Sequence, residues 1–292
     1  MTATENSTIT VKASIQAPAE KVWEFWTNPF HIIKWCSATE EWQTPYSEND
    51  LRTGGRFLSR MEAKDGSMGF DFSGVYTNVE NGKLIEYTLD DDRKVSVEFI
   101  SEGDVTTVIE TFEPEGTNPI EMQRAGWQAI MDNFKKYAEN HGQIQLLKFE
   151  TNIAADVKKV YDTMLADETY RAWTALFNPS SFYRGSWEKG SKILFIGTGE
   201  DGAEGGMVSR IRENIPSKFV SIEHLGMVQN GEEITTGPEI EAWAGALENY
   251  AFAENNGGTL LTVAMDSNEA YKSYFEETWP KALAKLKELC EA

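Results

Sequence analysis

The chain is poor in the residues that most often carry chemistry. It has two cysteines and three histidines among 292 residues. Cys36 and Cys290 lie in opposite halves, which excludes a disulfide framework and leads us to expect two free thiols and a reducing, cytoplasmic setting. A metal or nucleophile site needs convergent ligands or a base beside a nucleophile, and no paired Cys/His spacing supplies one. Neither metal nor cofactor is therefore expected. No run approaches the ~20 apolar residues of a bilayer span, and the opening MTATENST lacks the basic flank and apolar stretch of a signal peptide. A membrane span is not expected.

Positive charge is scarce as well. Lys and Arg number 27 against 47 Asp and Glu, a formal charge of −20, divided as 13 against 24 in residues 1–142 and 14 against 23 in residues 143–292. Such a field repels phosphate backbones, so nucleic acid is excluded as a partner. The Gly54-Gly55 and Gly205-Gly206 pairs lack the spaced glycines and Lys-Ser/Thr ending of a phosphate loop and read as tight turns or points of close backbone approach. Asp90-Asp91-Asp92 lacks calcium-loop spacing and reads as a hairpin turn.

What is present is a hydrophobic content of 40%, enough for two cores of ordinary size, and a sequence that contains itself twice. ITVKASIQAPAEKVWEFW at 9–26 is answered by LLKFETNIAADVKKVYDTM at 146–164. An offset of 138 carries Val22 onto Val160, Trp23 onto Tyr161 and Trp35 onto Trp173. RTGGRFLSR (52–60) answers WEKGSKILF (187–195), and SGVYTNVENGKLIEYTL (73–89) answers GGMVSRIRENIPSKFVSIEHL (205–225) with a short insertion. Each half ends on a tryptophan-bearing helix, with Trp127 matched to Trp279 and Phe134 to Leu286. The boundary is placed at 142/143, where Gly142 suits a left-handed cap after a helix and Ile144 opens a strand. Two domains, 1–142 and 143–292, are expected.

Within the first half, alternation of Ile9, Val11, Ala13 and Ile15 predicts a half-buried strand, and Pro18 and Pro29 open two short helices. Strands RFLSRMEA, GFDFSGVYTNV, KLIEYTL, KVSVEFI and VTTVIETF follow, separated by turn signals, and then a helix over 120–137 with the stripe Trp127, Ile130, Met131, Phe134 and Tyr137. In the second half, Pro280 predicts a break or kink near Glu276–Pro280 of the last helix, and with it a second cavity more open than the first.

Ala-Pro-Ala-Glu-Lys-Val-Trp (17–23), Trp35, Gly-Gly-Arg-Phe (54–57), Gly74-Val75 and Gly126-Trp127, in that order, resemble the START-like (SRPBCC) superfamily, and within it the Hsp90-ATPase-activator-homologue branch. The second half looks like a diverged copy, with Ala155 for Pro18, Tyr161 for Trp23 and Gly190-Ser191 for Gly54-Gly55. The resemblance implies an α+β architecture of tandem helix-grip domains, each a curved antiparallel sheet wrapped around a long C-terminal helix with a ligand cavity between them.

That implies non-enzymatic binding or carriage of a small hydrophobic or aromatic molecule. A chaperone partner, through ATPase stimulation, is the alternative from the branch name, although full activators carry a further domain of another kind. Candidate lining residues are Phe57, Phe72, Tyr76, Tyr87, Phe99 and Trp127, with Trp35 and Met131, in the first domain. In the second they are Trp173, Phe195, Trp279, Leu283 and His224. His31 opens a short helix and His141 lies in the linker, whereas His224 alternates with Val220 and Ile222 toward one face. His224 is read as a rim residue, a ligand anchor, or a general acid or base, the last being a second, enzymatic alternative. Its counterpart in the first half is Leu89.

Overall fold

A computed structural model describes residues 8–140, 145–199 and 201–292. The chain divides into two compact units, Met1–Gly142 and Gln143–Ala292. The 142/143 junction, with the expected Gly142 cap, Ile144 and His141, lies outside the described residues.

In the first unit the alternating side chains of β1 (Ile9–Ile15) are buried and their neighbours exposed. Helix α1 (Ala19–Thr27) turns Val22, Trp23 and Phe25 inward. Asn28 then caps α2 (Pro29–Trp35) by accepting the Phe30 N–H, and Pro29 occupies the first turn, where no N–H donor is needed. The sheet continues through β2 (Trp42–Asn49), β3 (Arg56–Ala63), β4 (Gly69–Glu80), β5 (Leu84–Leu89), β6 (Lys94–Glu102) and β7 (Val105–Phe112), before α3 (Ile120–Asn140). Strand order is β1-β7-β6-β5-β4-β3-β2, antiparallel throughout. β2 was not expected from sequence, because Pro45 and its polar residues argue against a strand. It survives at the sheet edge, where a missing N–H costs no ladder bond, and it is bulged between Gln43 and Tyr46.

The second unit repeats this plan. It comprises β8 (Gln145–Ile153), α4 (Val157–Leu165), α5 (Asp167–Thr174), β9 (Phe182–Gly185), β10 (Lys192–Thr198) and β11 (Glu204–Ile215). Then come β12 (Phe219–Gln229), β13 (Glu232–Ile234), α6 (Pro238–Glu241), β14 (Leu247–Asn255), β15 (Gly258–Ser267) and α7 (Glu269–Glu291). Its order is β8-β15-β14-β12-β11-β10-β9, with the short β13 and α6 as the insertion. Helix α7 is continuous through Pro280 and begins at Glu269, so the helix does not start at the proline.

Hydrogen bonds equate the two units residue by residue. Gly54 (φ +82°) donates its N–H to the Tyr76 carbonyl at 2.8 Å, and Gly190 (φ +83°) donates to that of Ile211 at 2.7 Å. Both glycines are turn positions that L side chains resist, which accounts for the glycine without a phosphate. Gly74 faces Leu89 across β4 and β5 as Ser209 faces His224 across β11 and β12, so Leu89 is the counterpart of His224. The counterpart of Pro18 is Asp156 rather than Ala155: both are helix N-caps, but only Asp156 contributes a side-chain bond, from the Lys159 N–H. Bulges recur at Tyr76/Asn78 and Ile211/Glu213, where they sharpen the twist that curls each sheet.

The stripe on α3 buries Met131 and Phe134 completely against the first sheet, and α7 does the same with Leu283 and Leu286 against the second. Each such side chain contributes roughly 1.5–3 kcal/mol by leaving water. The result is α+β, two helix-grip units, with the site between sheet and long helix.

Candidate functional site

The first unit encloses a cavity of about 500 Å³. Phe57, Tyr76 and Tyr87 form one wall, with ring centroids 4.9–5.3 Å apart for the pairs made by Phe57. Trp127 on α3 stacks on Phe112 at 3.8 Å and 14° and meets Phe72 edge-on at 5.8 Å. Trp35, held by its indole N–H to the Phe25 carbonyl at 3.0 Å, closes the end under α2. Trp42, Met61, Phe70 and Met122 surround the mouth, and Phe70 and Met122 are exposed.

One fully buried carboxyl stands in this wall, whose other charged side chains are Glu48, Arg93 and Glu115. Glu110 on β7 accepts the Tyr87 hydroxyl at 3.2 Å, and burial pushes its carboxyl up to about 8. Tyr87 is driven well above its ordinary value, first by burial and then by the nearby Glu110 charge. The Cys36 thiol, also lining the cavity, is raised to about 12 by burial. At neutral pH these groups are uncharged, so the interior offers hydrogen bonds without a formal charge.

The second cavity measures about 670 Å³. Its wall differs from the first at one cross-strand pair. Met61 faces Phe70 across β3 and β4, whereas Gly197 faces Gly205 at the same place across β10 and β11. A Cβ on Gly197 would meet the Asn178 side chain at 2.6 Å, so Asn178 takes part of that space, while Gly205 opens onto the cavity. The walls thus differ at this place, with a thioether and a ring in the first unit and no side chain in the second.

A polar chain crosses its wall. Ser209 Oγ lies 2.9 Å from His224 Nδ1, and His224 Nε2 lies 3.5 Å from Glu248 Oε2. The Tyr250 hydroxyl donates to Glu248 Oε1. Burial first, and then the Glu248 charge, raise Tyr250 and Tyr170 far above the ordinary phenol value. Trp279 donates its indole N–H to Met265 Sδ at 3.0 Å, on the residue that corresponds to Phe112 under Trp127.

Of the residues singled out from sequence, Trp35, Phe57, Phe72, Tyr76, Tyr87 and Trp127 line the first cavity, and Trp173, Phe195, His224 and Trp279 the second. Three do not. Phe99 packs on Trp23 at 5.1 Å, and Met131 and Leu283 are core residues of the two helices, because their helix positions face the sheet rather than the opening. Glu110, Glu248 and Tyr250 escaped notice. Glu110 had a signal, a carboxylate on the buried parity of an alternating strand, since Thr106, Val108, Glu110 and Phe112 are all buried; β14, which carries Glu248 and Tyr250, does not alternate in this way. Among the described residues no group of three His, Cys, Asp or Glu could hold a metal, and no helix is long and apolar enough to cross a membrane.

Comparisons with known proteins fit this duplicated geometry. The family described as "Activator of Hsp90 ATPase homolog 1-like protein" matches at residues 16–139 and again at 154–291. The solution structure of the AHSA1-like protein from Aeromonas hydrophila is 45% identical over 47% of this chain and 94% of its own, with a TM-score of 0.45. The di-domain ARO/CYC protein StfQ of the steffimycin pathway is 12% identical over 97% of this chain and 98% of its own, with a TM-score of 0.55. The di-domain ARO/CYC protein BexL of the BE-7585A pathway is 14% identical over 98% and 99%, with a TM-score of 0.52. At such identities StfQ and BexL establish the tandem fold alone. No curated protein matches the chain.

Proposed function

Because the chain belongs to the activator of Hsp90 ATPase homolog 1-like family in both of its halves, we propose that it is a non-enzymatic binder or carrier of a small hydrophobic or aromatic molecule. The observation that carries this reading is the first cavity: about 500 Å³, walled by aromatic rings, with one buried carboxyl at hydrogen-bond distance from a tyrosine. Pockets of ~300–1,000 Å³ with apolar walls and a few polar groups suit small molecules. Trp35, Phe57, Phe72, Tyr76, Tyr87 and Trp127 supply the wall in this proposal. A protonated Glu110 can donate to an acceptor on the ligand while accepting from Tyr87, so a planar molecule with a carbonyl or phenol oxygen fits.

The enzymatic alternative through His224 is weakened by its surroundings. His224 Nδ1 lies 2.9 Å from Ser209 Oγ, but Ser209 is fully buried and does not line the cavity, so the pair presents no nucleophile to a bound molecule. Native mass spectrometry of freshly purified protein, with fluorescence titration by 2-naphthol, tests the binding reading. A retained small molecule or saturable quenching is the expected result; a bare mass with no quenching and no thermal shift would end it. An Hsp90 ATPase assay separates the chaperone alternative, and no stimulation at stoichiometric protein is expected.

A further inference from the structure

The charges on the second cavity's wall all have one sign. Among the described residues the charged side chains lining it are Asp201, Glu204 and Glu248, and no lysine or arginine joins them. Glu204 is compensated at the rim by Arg184 at 3.1 Å, and Asp201 is exposed to solvent. Glu248 is the carboxylate that sits inside.

Its setting is a built one. Tyr250 and His224 each approach a different carboxylate oxygen, and Ser209 holds the far side of the imidazole. The Tyr250 hydroxyl occupies one of the roughly four lone-pair positions a carboxylate offers, and His224 Nε2 stands 3.5 Å from the other oxygen. The side chain keeps 15% exposure, and the residue lines the cavity. Aromatic rings flank it: Trp279 lies 6.3 Å from Tyr250, 5.9 Å from Trp173 and 5.0 Å from Phe177, all four lining the same space. Ring faces attract cations through their quadrupole, most strongly where water is displaced.

Filling this cavity with a neutral molecule would strip water from Glu248 without replacing its counter-charge, which is costly. An anion would meet three carboxylates with a single histidine and no lysine or arginine among the described lining residues. A cation with an apolar body meets both requirements, and the chain's net charge of −20 raises its local concentration. The first cavity differs: Arg93 lines it beside Glu48 and Glu115, and its fully buried carboxyl, Glu110, is protonated at neutral pH.

We propose that the second cavity binds a small organic cation, an ammonium on an apolar or aromatic body, with Glu248 as its counter-charge and the Trp173, Trp279 and Tyr250 rings around it. This rests on the reading that these cavities hold ligands, and adds the ligand's charge. The full-length chain is titrated calorimetrically at pH 7 with 2-phenylethylammonium and with its neutral counterpart 2-phenylethanol. The ammonium is expected to bind at least tenfold more tightly, and Glu248→Gln to remove that preference. Gly205→Phe restores the ring that the first unit carries at this place; the nearest atom to its new Cβ is the Val228 carbonyl oxygen at 3.7 Å, an ordinary contact. It should lower ammonium affinity severalfold with the carboxylate untouched, which keeps the test decisive should Glu248→Gln fail to fold.

Equal affinities for the two probes, a preference that survives Glu248→Gln, or ammonium binding unaltered by Gly205→Phe would each overturn the proposal. Were the alcohol to bind as well as the ammonium, the cavity reading would stand and only the cation would fall. 2-Naphthol binding in the first unit, unaffected by either variant, tests the broader reading separately.

Discussion

Both units put a carboxylate into the cavity from the sheet, but from different strands and in different company. Glu110 projects from β7 toward Tyr87 inside a wall that is largely apolar, and its place in the second unit is taken by Val263. Glu248 projects from β14, braced by Tyr250 and His224, at the place that Val95 occupies in the first. The duplicated scaffold keeps its turns, bulges and helix positions while each cavity's polar groups have been placed independently. A shared fold therefore constrains where a ligand can sit and leaves open what the site asks of it.

The largest test of this contrast lies in the matched tryptophans. Trp279 is 2% exposed and enclosed by Trp173, Phe177, Tyr250 and Met265, so Trp279→Ala should destabilise its domain by ~3–5 kcal/mol in urea unfolding. Trp127 is half-buried, one face on Phe112 and one edge toward the cavity, so Trp127→Ala should cost less, roughly 1.5–3 kcal/mol, and should abolish any ligand-induced thermal shift in the first domain. Equal losses at the two sites would mean that the first cavity is packed core.

The next test uses pH. Glu110 is raised to about 8 in the folded protein, whereas an ordinary glutamate titrates at 4.5, so between these values the folded state holds a proton that the unfolded chain has lost. Stability of the first domain should then fall as pH rises, by up to ~1.4 kcal/mol per unit, and level off above about 8. Calorimetric melting of Glu110→Gln across that range should show the slope flattened in the first domain. A slope that persists in this variant would assign the linkage to another group.

Helix caps give a smaller contrast. Asp156→Ala removes the bond to the Lys159 N–H and should cost ~1 kcal/mol, whereas Pro18, which makes no side-chain cap, offers no such bond to lose. Thermal melts of the two substitutions compare them directly, and an equal loss on Pro18→Ala would refute the distinction. The smallest expected change is at the mouth. Phe70 is 49% exposed, so Phe70→Gly, which imposes the second unit's residue on the first, should cost only ~1 kcal/mol and shift the first cavity's preference toward bulkier probes by a few-fold in titration.

Much of this was legible in the sequence because it depends on local periodicity and on repetition. Alternation set β1, proline and asparagine punctuated α1 and α2, and the 138-residue offset matched helices that the structure places at Ala19–Thr27 and Val157–Leu165. The tertiary structure alone decided which aromatic residues face an opening. Phe57 and Phe99 both look like buried strand residues, yet Phe57 lines the cavity and Phe99 is clamped between Trp23 and Trp26, since curvature and helix placement bring distant segments to one and not the other. It also decided the edge strand β2, whose pairing with β3 outweighs its weak propensity, and the bare patch of the second cavity's wall, where Gly197 and Gly205 stand opposite each other. The chemistry of Glu110 and Glu248 belongs to the same class. A glutamate in a strand is ordinary in sequence, and only the closed chain buries Glu110 beside Tyr87 and sets a partly exposed Glu248 beside Tyr250 and His224.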